Sequence, residues 1–179
     1  ADKAMLEGFA PVAAADAEVL LLGTMPSVAS LQKGQYYGFG RNAFWPLLYA
    51  LWDAGEPPAD YALRLKFVLS HRLALWDVLR TCERKGSADA SIRAPQANDF
   101  AAFAAAHPHI RRVFFNSSGA AALYRRLVVP DPFAHCPKII LPSSSPARAM
   151  RFEDKLRLWL VLREALEKQP ERENGSFSP

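Results

Sequence analysis

The sequence predicts an α/β protein built on a parallel sheet with helices on both faces. Short apolar runs such as Val19-Leu20-Leu21-Leu22 alternate with longer stretches of helical periodicity. Three of the runs end at Gly23, Asn116 or Pro142, each followed within a few residues by serine. Apolar runs without polar alternation mark strands buried on both faces. Alternating strands and helices favour parallel pairing through crossover helices. In such a sheet the strand C-termini lie along one edge, where ligands bind. The three serine-bearing strand ends are therefore expected to converge.

Each element has its own signal. Residues 19–23 form a strand ended by Gly23. Residues 43–54 form a helix with Phe44, Leu47, Leu48 and Leu51 on one face, and Pro46 fits only in its first turn. A break over 55–58 leads to a second helix, 61–70, and a second buried strand, 73–76. The polar stretch 83–98, with Gly86 and Pro95, reads as a long loop. Residues 99–106 are helical and stop at His107-Pro108. Residues 112–116 form a strand running into Asn-Ser-Ser-Gly, 120–127 a helix, and 138–141 the last strand. The final helix covers 152–168, with Phe152, Leu156, Trp159, Leu160 and Leu166 as its apolar stripe. The expectation is a single domain over 1–170 and a polar tail over 171–179.

Composition narrows the function classes. The chain has 179 residues, 50% hydrophobic and 22% charged, as in a globular domain with a real core. No apolar stretch approaches the roughly 18 residues of a membrane span, and the first residues do not read as a secretory leader. Two cysteines, Cys82 and Cys136, argue for a reducing compartment and cannot complete a four-cysteine metal site. The four histidines show no paired ligand spacing beyond His107-Pro108-His109, which flanks a helix break. No nucleophile elbow, phosphate-binding loop or dinucleotide fingerprint is present. The net charge of +4 favours an acidic partner mildly. No metal and no cofactor are expected.

The three strand ends supply the candidate site, and each residue has two readings. Gly23, Thr24, Met25, Pro26 and Ser27 offer backbone N–H groups with little bulk, or form an ordinary strand-to-helix turn. Asn42 is a polar site residue or the cap of the helix that follows. Tyr36 and Tyr37 are core aromatics or, beside a polar pocket, a platform for a base. Asn116 offers both a donor and an acceptor to a heterocycle edge, or ties down its own turn. Ser143, Ser144 and Ser145, held between prolines and followed by Arg148, suit phosphate contacts or a solvated turn.

The segments LLGTMPSVASLQKGQYY…RNAFW, LALWDVLRTCERKGSADASI, FFNSSGAA and LPSSSPARA, in that order, resemble the uracil-DNA glycosylase superfamily. The likeness spans about residues 19–150 and is nearest to the hypoxanthine-DNA (deoxyinosine) glycosylase branch, with mismatch-specific uracil glycosylases as near relatives. It implies a three-layer α/β/α sandwich with a short, mainly parallel sheet. It implies Asn42, in the Asn-x-Phe-Trp element, and Asn116 as catalytic residues. Tyr37, Gly23, Thr24, Met25 and Asn116 would contact the base, and Ser27, Ser143, Ser144, Ser145 and Arg148 the DNA. Many relatives carry Asp or Asn at the position of Met25, which cannot polarise a water. Relatives also commonly carry Ala-His-Pro where this chain has Gly38-Phe39-Gly40.

The implied activity is removal of a deaminated base, hypoxanthine before uracil, by a monofunctional enzyme that flips the nucleotide out of the stack. A uracil or mismatch-specific glycosylase is the rival within the class. A catalytically silent binder of damaged DNA and an unrelated α/β enzyme acting on a small nucleoside are the rivals outside it. The expected partner is DNA containing a deaminated base, with no membrane partner, for a monomer in the cytoplasm associated with the nucleoid.

Overall fold

The computed structural model describes residues 5–167. The expected tail, 171–179, lies outside the described residues, as does Lys168, the expected last residue of the final helix. The elements in chain order are β1 (Leu6–Glu7), β2 (Val19–Gly23), α1 (Val28–Lys33), α2 (Phe44–Leu51), α3 (Tyr61–Ser70), β3 (Leu73–Asp77) and β4 (Leu79–Glu83). A 3₁₀ turn (Asp89–Ser91), β5 (Arg93–Ala97), α4 (Phe100–Ala106), β6 (Arg112–Phe115), α5 (Ser118–Leu127), β7 (Lys138–Ile140) and α6 (Phe152–Leu166) follow.

The main sheet has the order β3-β2-β6-β7, and every neighbouring pair in it is parallel. Alternation along each strand sends side chains to opposite faces. Leu20, Leu22, Val113 and Phe115 pack on one face with Phe100 and Phe103 of α4 and Tyr124 of α5. Val19, Leu21 and Phe114 pack on the other with Phe44 and Leu48 of α2, Val68 of α3 and Trp159 of α6. Both faces are thus covered, giving the three layers and explaining why β2 and β3 are buried along their whole length.

The expected long loop over 83–98 is corrected. β1, β4 and β5 form a second, antiparallel sheet in the order β1-β4-β5. β4 follows β3 after one residue, because Val78 N–H and Leu79 N–H donate to the carbonyls of Gly23 and Thr24 and extend the pairing beyond β2. β5 reads Arg-Ala-Pro-Gln-Ala and is largely exposed. Pairing with β4, not burial of a face, makes it a strand, and Pro95 is tolerated because β5 lies at an edge. α1 was also absent from the expectation. It is one short helix, capped by Ser27 Oγ accepting from Ser30 N–H and ended by Gly34 at φ +65°. The helix expected over 43–54 is shorter, Phe44–Leu51, with Pro46 in its first turn as required. No helix among the described residues is long and apolar enough to cross a membrane.

Trp159 ties the α6 layer to the site edge. It is fully buried, packs edge-on against Phe44, and donates its Nε1–H to Pro142 O at 2.9 Å. Trp159→Ala is expected to cost about 3–5 kcal/mol, with Trp159→Phe costing less. Urea unfolding midpoints of the two variants check this.

Candidate active site

The C-terminal ends of β2, β3 and β6, together with the loop after β7, open into one cleft of about 840 Å³. Its lining includes Gly23, Thr24, Met25 and Ser27 from the first strand end, Tyr37 and Asn42 from the α1–α2 connection, and Asn116 from the β6 end. Ser143, Ser144, Ser145 and Arg148 complete it. Every residue expected in the site therefore borders the same cleft, although they do not all present side chains to it.

The floor is built around Gly23. A Cβ placed there would lie 2.5 Å from Asp77 Oδ1 and 3.1 Å from the Tyr37 hydroxyl, so only glycine allows both groups to close over the strand end. Asp77 ends β3 directly opposite Gly23 in register. It is 4% exposed, and its Oδ2 has no hydrogen-bond partner among the described residues. Burial pushes its carboxyl up to about 7; the neighbouring Asp89 pushes the same way and Arg84 opposes. Sequence reading missed Asp77. The available signal was its place as the first polar residue after the apolar run Leu-Ala-Leu-Trp, the same signal that marks Asn116.

Tyr37 sits at φ +53°, an uncommon conformation for a residue with a side chain. Its ring lies 3.7 Å, centroid to centroid, from Phe44 at 15°, so one face is already covered. Burial and then the Asp77 charge hold its hydroxyl protonated, while Asn116 pulls weakly the other way. Asn116 is itself clamped. Its Oδ1 accepts from Ser144 N–H and its Nδ2 donates to Ser144 Oγ, both at 2.9 Å. The two readings of Asn116 thus merge: it ties down the serine loop, and the tie fixes which way its amide points.

Asn42 borders the cleft, and its Oδ1 accepts from Phe44 N–H at 2.9 Å; it stands one residue before Ala43, the N-cap of α2, and so braces the entry to the helix. Met25 belongs to the apolar cluster with Leu22, Trp76 and Leu79, and its sulfur lies beside Gly8. Thr24 Oγ1 donates to Asp89 Oδ2 at 3.1 Å, which brings the 3₁₀ turn against the strand end. Ser87 Oγ accepts from Val28 N–H, and Arg84 donates to Pro26 O, tying the same segment to the loop after β2. Asp89 and Ser87 lie in the segment LALWDVLRTCERKGSADASI that carries the family resemblance, but no local periodicity places them at the cleft.

The serine loop divides. Ser144 is 1% exposed and its hydroxyl is engaged with Asn116, so in this structure its side chain forms an internal clamp. Ser143 Oγ and Ser145 Oγ accept from the N–H groups of Ser145 and Ala147, bracing the turn, and Arg148 is exposed. Beneath the loop, buried Lys155 of α6 donates to Ser145 O at 3.0 Å.

The family profile of the uracil DNA glycosylase superfamily matches residues 10–167. A hypoxanthine DNA glycosylase of Methanosarcina acetivorans is 37% identical over 152 residues, covering 85% of this chain and 94% of the relative. A hypoxanthine DNA glycosylase of Methanosarcina barkeri is 34% identical over 110 residues, covering 62% of this chain and 70% of the relative. The solution NMR structure of a Methanosarcina acetivorans protein, provisionally named a uracil DNA glycosylase, superposes with a TM-score of 0.76 at 32% identity, covering 91% of this chain and 99% of that one. The chain belongs to the uracil DNA glycosylase superfamily.

Proposed function

We propose that this protein excises hypoxanthine from DNA by hydrolysis of the N-glycosidic bond. The observation that carries the reading is the floor of the cleft, where the Asp77 carboxyl, the Tyr37 hydroxyl and the clamped Asn116 amide gather around Gly23. The names of the two Methanosarcina relatives support the choice of base.

Breaking the bond builds positive charge on the sugar and negative charge on the departing base. Hypoxanthine presents a ring N–H next to a carbonyl. Asp77 supplies the acceptor for the N–H. Asn116, its Oδ1 turned toward Ser144, supplies an amide hydrogen for the carbonyl and for the charge that develops on it; one such donor is worth about 3 kcal/mol in comparable sites. Adenine reverses this edge and leaves buried groups unpaired, which discriminates strongly. Asn42 holds the attacking water and the sugar, the part Met25 cannot take. A fully ionised Asp77 would oppose the departing base, and burial keeps its proton bound up to about pH 7. Tyr37 offers its uncovered side to the base. Ser27, Ser143, Ser145 and Arg148 hold the phosphates at the mouth, and Ser144 acts through Asn116. The protein acts as a monomer in the cytoplasm, at the nucleoid.

Single-turnover cutting of duplexes holding inosine, uracil or adenine at one position, followed by alkaline cleavage, tests the function. Hypoxanthine release is expected to be fastest, uracil slower and adenine absent. Faster uracil release would move the protein to the uracil branch, and no release would leave a binding role. Asn42→Ala is expected to abolish release while duplex binding persists. Loss of melting temperature with activity retained per folded molecule would reduce Asn42 to a helix cap.

Asp77 also links stability to pH. Its folded-state value is raised, so its favourable contribution is full below the ordinary value of 3.8 and is lost as pH rises through about 7. Ionising such a group in place costs on the order of 4 kcal/mol at most. Asp77→Asn, which cannot ionise, is expected to melt higher than the parent at pH 8, with the gap closing toward pH 5. A gap independent of pH would show that Asp77 is not held protonated.

A further inference from the structure

Phe39 stands apart from the other aromatic residues around the cleft. It is 39% exposed, whereas Tyr36 is buried and Tyr37 half-buried. Tyr36, Tyr37, Phe44 and Trp45 form a continuous set of ring contacts, and Phe39 takes part in none of the ring pairs among the described residues. An exposed phenylalanine alone means little. Its backbone, however, is held on both sides. Gly38 N–H donates to Ser30 Oγ at 2.9 Å, Lys33 Nζ donates to Gly38 O at 2.6 Å, and Asn42 N–H donates to Phe39 O at 2.9 Å. Gly38 is also pressed close to α1: a Cβ there would lie 3.2 Å from Gln35 O and 3.3 Å from Lys33 Cδ. The backbone is fixed while the side chain stays partly exposed where it lines the cleft, three residues from Asn42.

The opposite lip offers no comparable group. Residues 142–149 read Pro-Ser-Ser-Ser-Pro-Ala-Arg-Ala, without an aromatic or large aliphatic side chain. Phe39 is the one exposed aromatic residue among those that line the cleft. A duplex that gives up a nucleotide to the cleft is left with an unfilled gap in its stack. Proteins that distort duplexes place apolar wedges such as phenylalanine between base steps, and extruding a base costs a few kcal/mol that a wedge offsets.

We propose that Phe39 is the wedge that enters the duplex at the gap left by the extruded nucleotide. The proposal rests on the reading of the cleft as a base-excision site. It concerns the DNA stack and not the base that is cut. Phe39 fills the vacated space, slows return of the nucleotide, and contributes only where there is a duplex to hold open.

Two measurements separate this proposal from the reading it rests on. The first is single-turnover release of hypoxanthine by the parent, Phe39→Ala and Phe39→Leu, from a duplex and from the same strand alone. Phe39→Ala is expected to lower the duplex rate roughly tenfold more than the single-strand rate, and Phe39→Leu to recover most of the loss. An equal loss on both substrates, or no loss on the duplex, would overturn the wedge. The second needs no chemistry. A duplex carrying a tetrahydrofuran abasic analogue, with 2-aminopurine as the neighbouring base, is titrated with each protein. The parent is expected to change the 2-aminopurine emission on binding, and Phe39→Ala to bind with most of that change lost. An unchanged signal would overturn the wedge. Absence of base release by the parent itself would overturn the excision reading while the fluorescence still decides the role of Phe39.

Discussion

The missing side chain of Gly23 is the constraint on which the site depends. Gly23 is the last residue of β2, flanked by β3 and β6, and it pairs in register with Asp77. Any side chain at this position would meet the Asp77 carboxyl and the Tyr37 hydroxyl at distances that real Cβ atoms do not tolerate or tolerate only under strain. Both groups are committed from elsewhere. Asp77 is carried by a strand buried throughout, and Asn98 Nδ2 donates to its carbonyl at 2.8 Å. Tyr37 is locked by its stack on Phe44, which belongs to the helix layer beneath. The backbones of both are thus fixed by the fold, and relief of a side chain at Gly23 would require the Asp77 carboxyl or the Tyr37 hydroxyl to turn away from the floor.

The parallel sheet was legible because its strands are apolar on both faces, and burial alone dictates such a pattern. β1, β4 and β5 were not, because pairing specifies them and burial does not; β5 alternates no apolar face and contains a proline. The same distinction runs through the site. Gly23, Asn116 and the serine loop follow apolar runs and were read from that position. Asp77 follows an identical kind of run and was passed over, since a single aspartate before Val78-Leu79 looks like a turn when β4 is not foreseen. Asp89 and Ser87 come from the irregular segment that β4 and β5 bring back across the strand ends, and no local period announces them. Ser144 shows the converse case. A serine between prolines reads as surface, yet its hydrogen bonds with Asn116 bury it.

Two buried polar links keep the loop after β7 in place. Asn116 and Ser144 exchange a pair of hydrogen bonds on the cleft side, and Lys155 donates from below. A buried ammonium without a partner is costly, so the carbonyl of Ser145 and the lysine hold one another. Trp159 adds a third hold at Pro142. The loop is therefore fixed at Pro142, Ser144 and Ser145, and its outer stretch is turned back on Ser145 by the N–H groups of Ala147 and Arg148, leaving the Arg148 side chain exposed.

The charges in the cleft are sorted by depth, and this sorting gives a nucleotide only one favourable way to enter. Asp77 lies at the floor, and the Asp89 charge nearby helps to hold its carboxyl protonated. Arg148 stands exposed at the mouth, with the Lys155 ammonium under the same loop. A phosphate pushed to the floor would lose its hydration beside a neutral Asp77 carboxyl, and a buried anion without a partner is costly. A neutral base meets no such penalty there, and its polar edge finds the donors and acceptors that the buried groups need. Phosphates left at the mouth would stay hydrated, on the side of the exposed Arg148. Sorting by depth thus turns the base inward and the backbone outward before any specific contact forms. It also accounts for an acidic residue at the floor of a chain whose net charge is positive: held protonated, Asp77 is a polar but neutral group there.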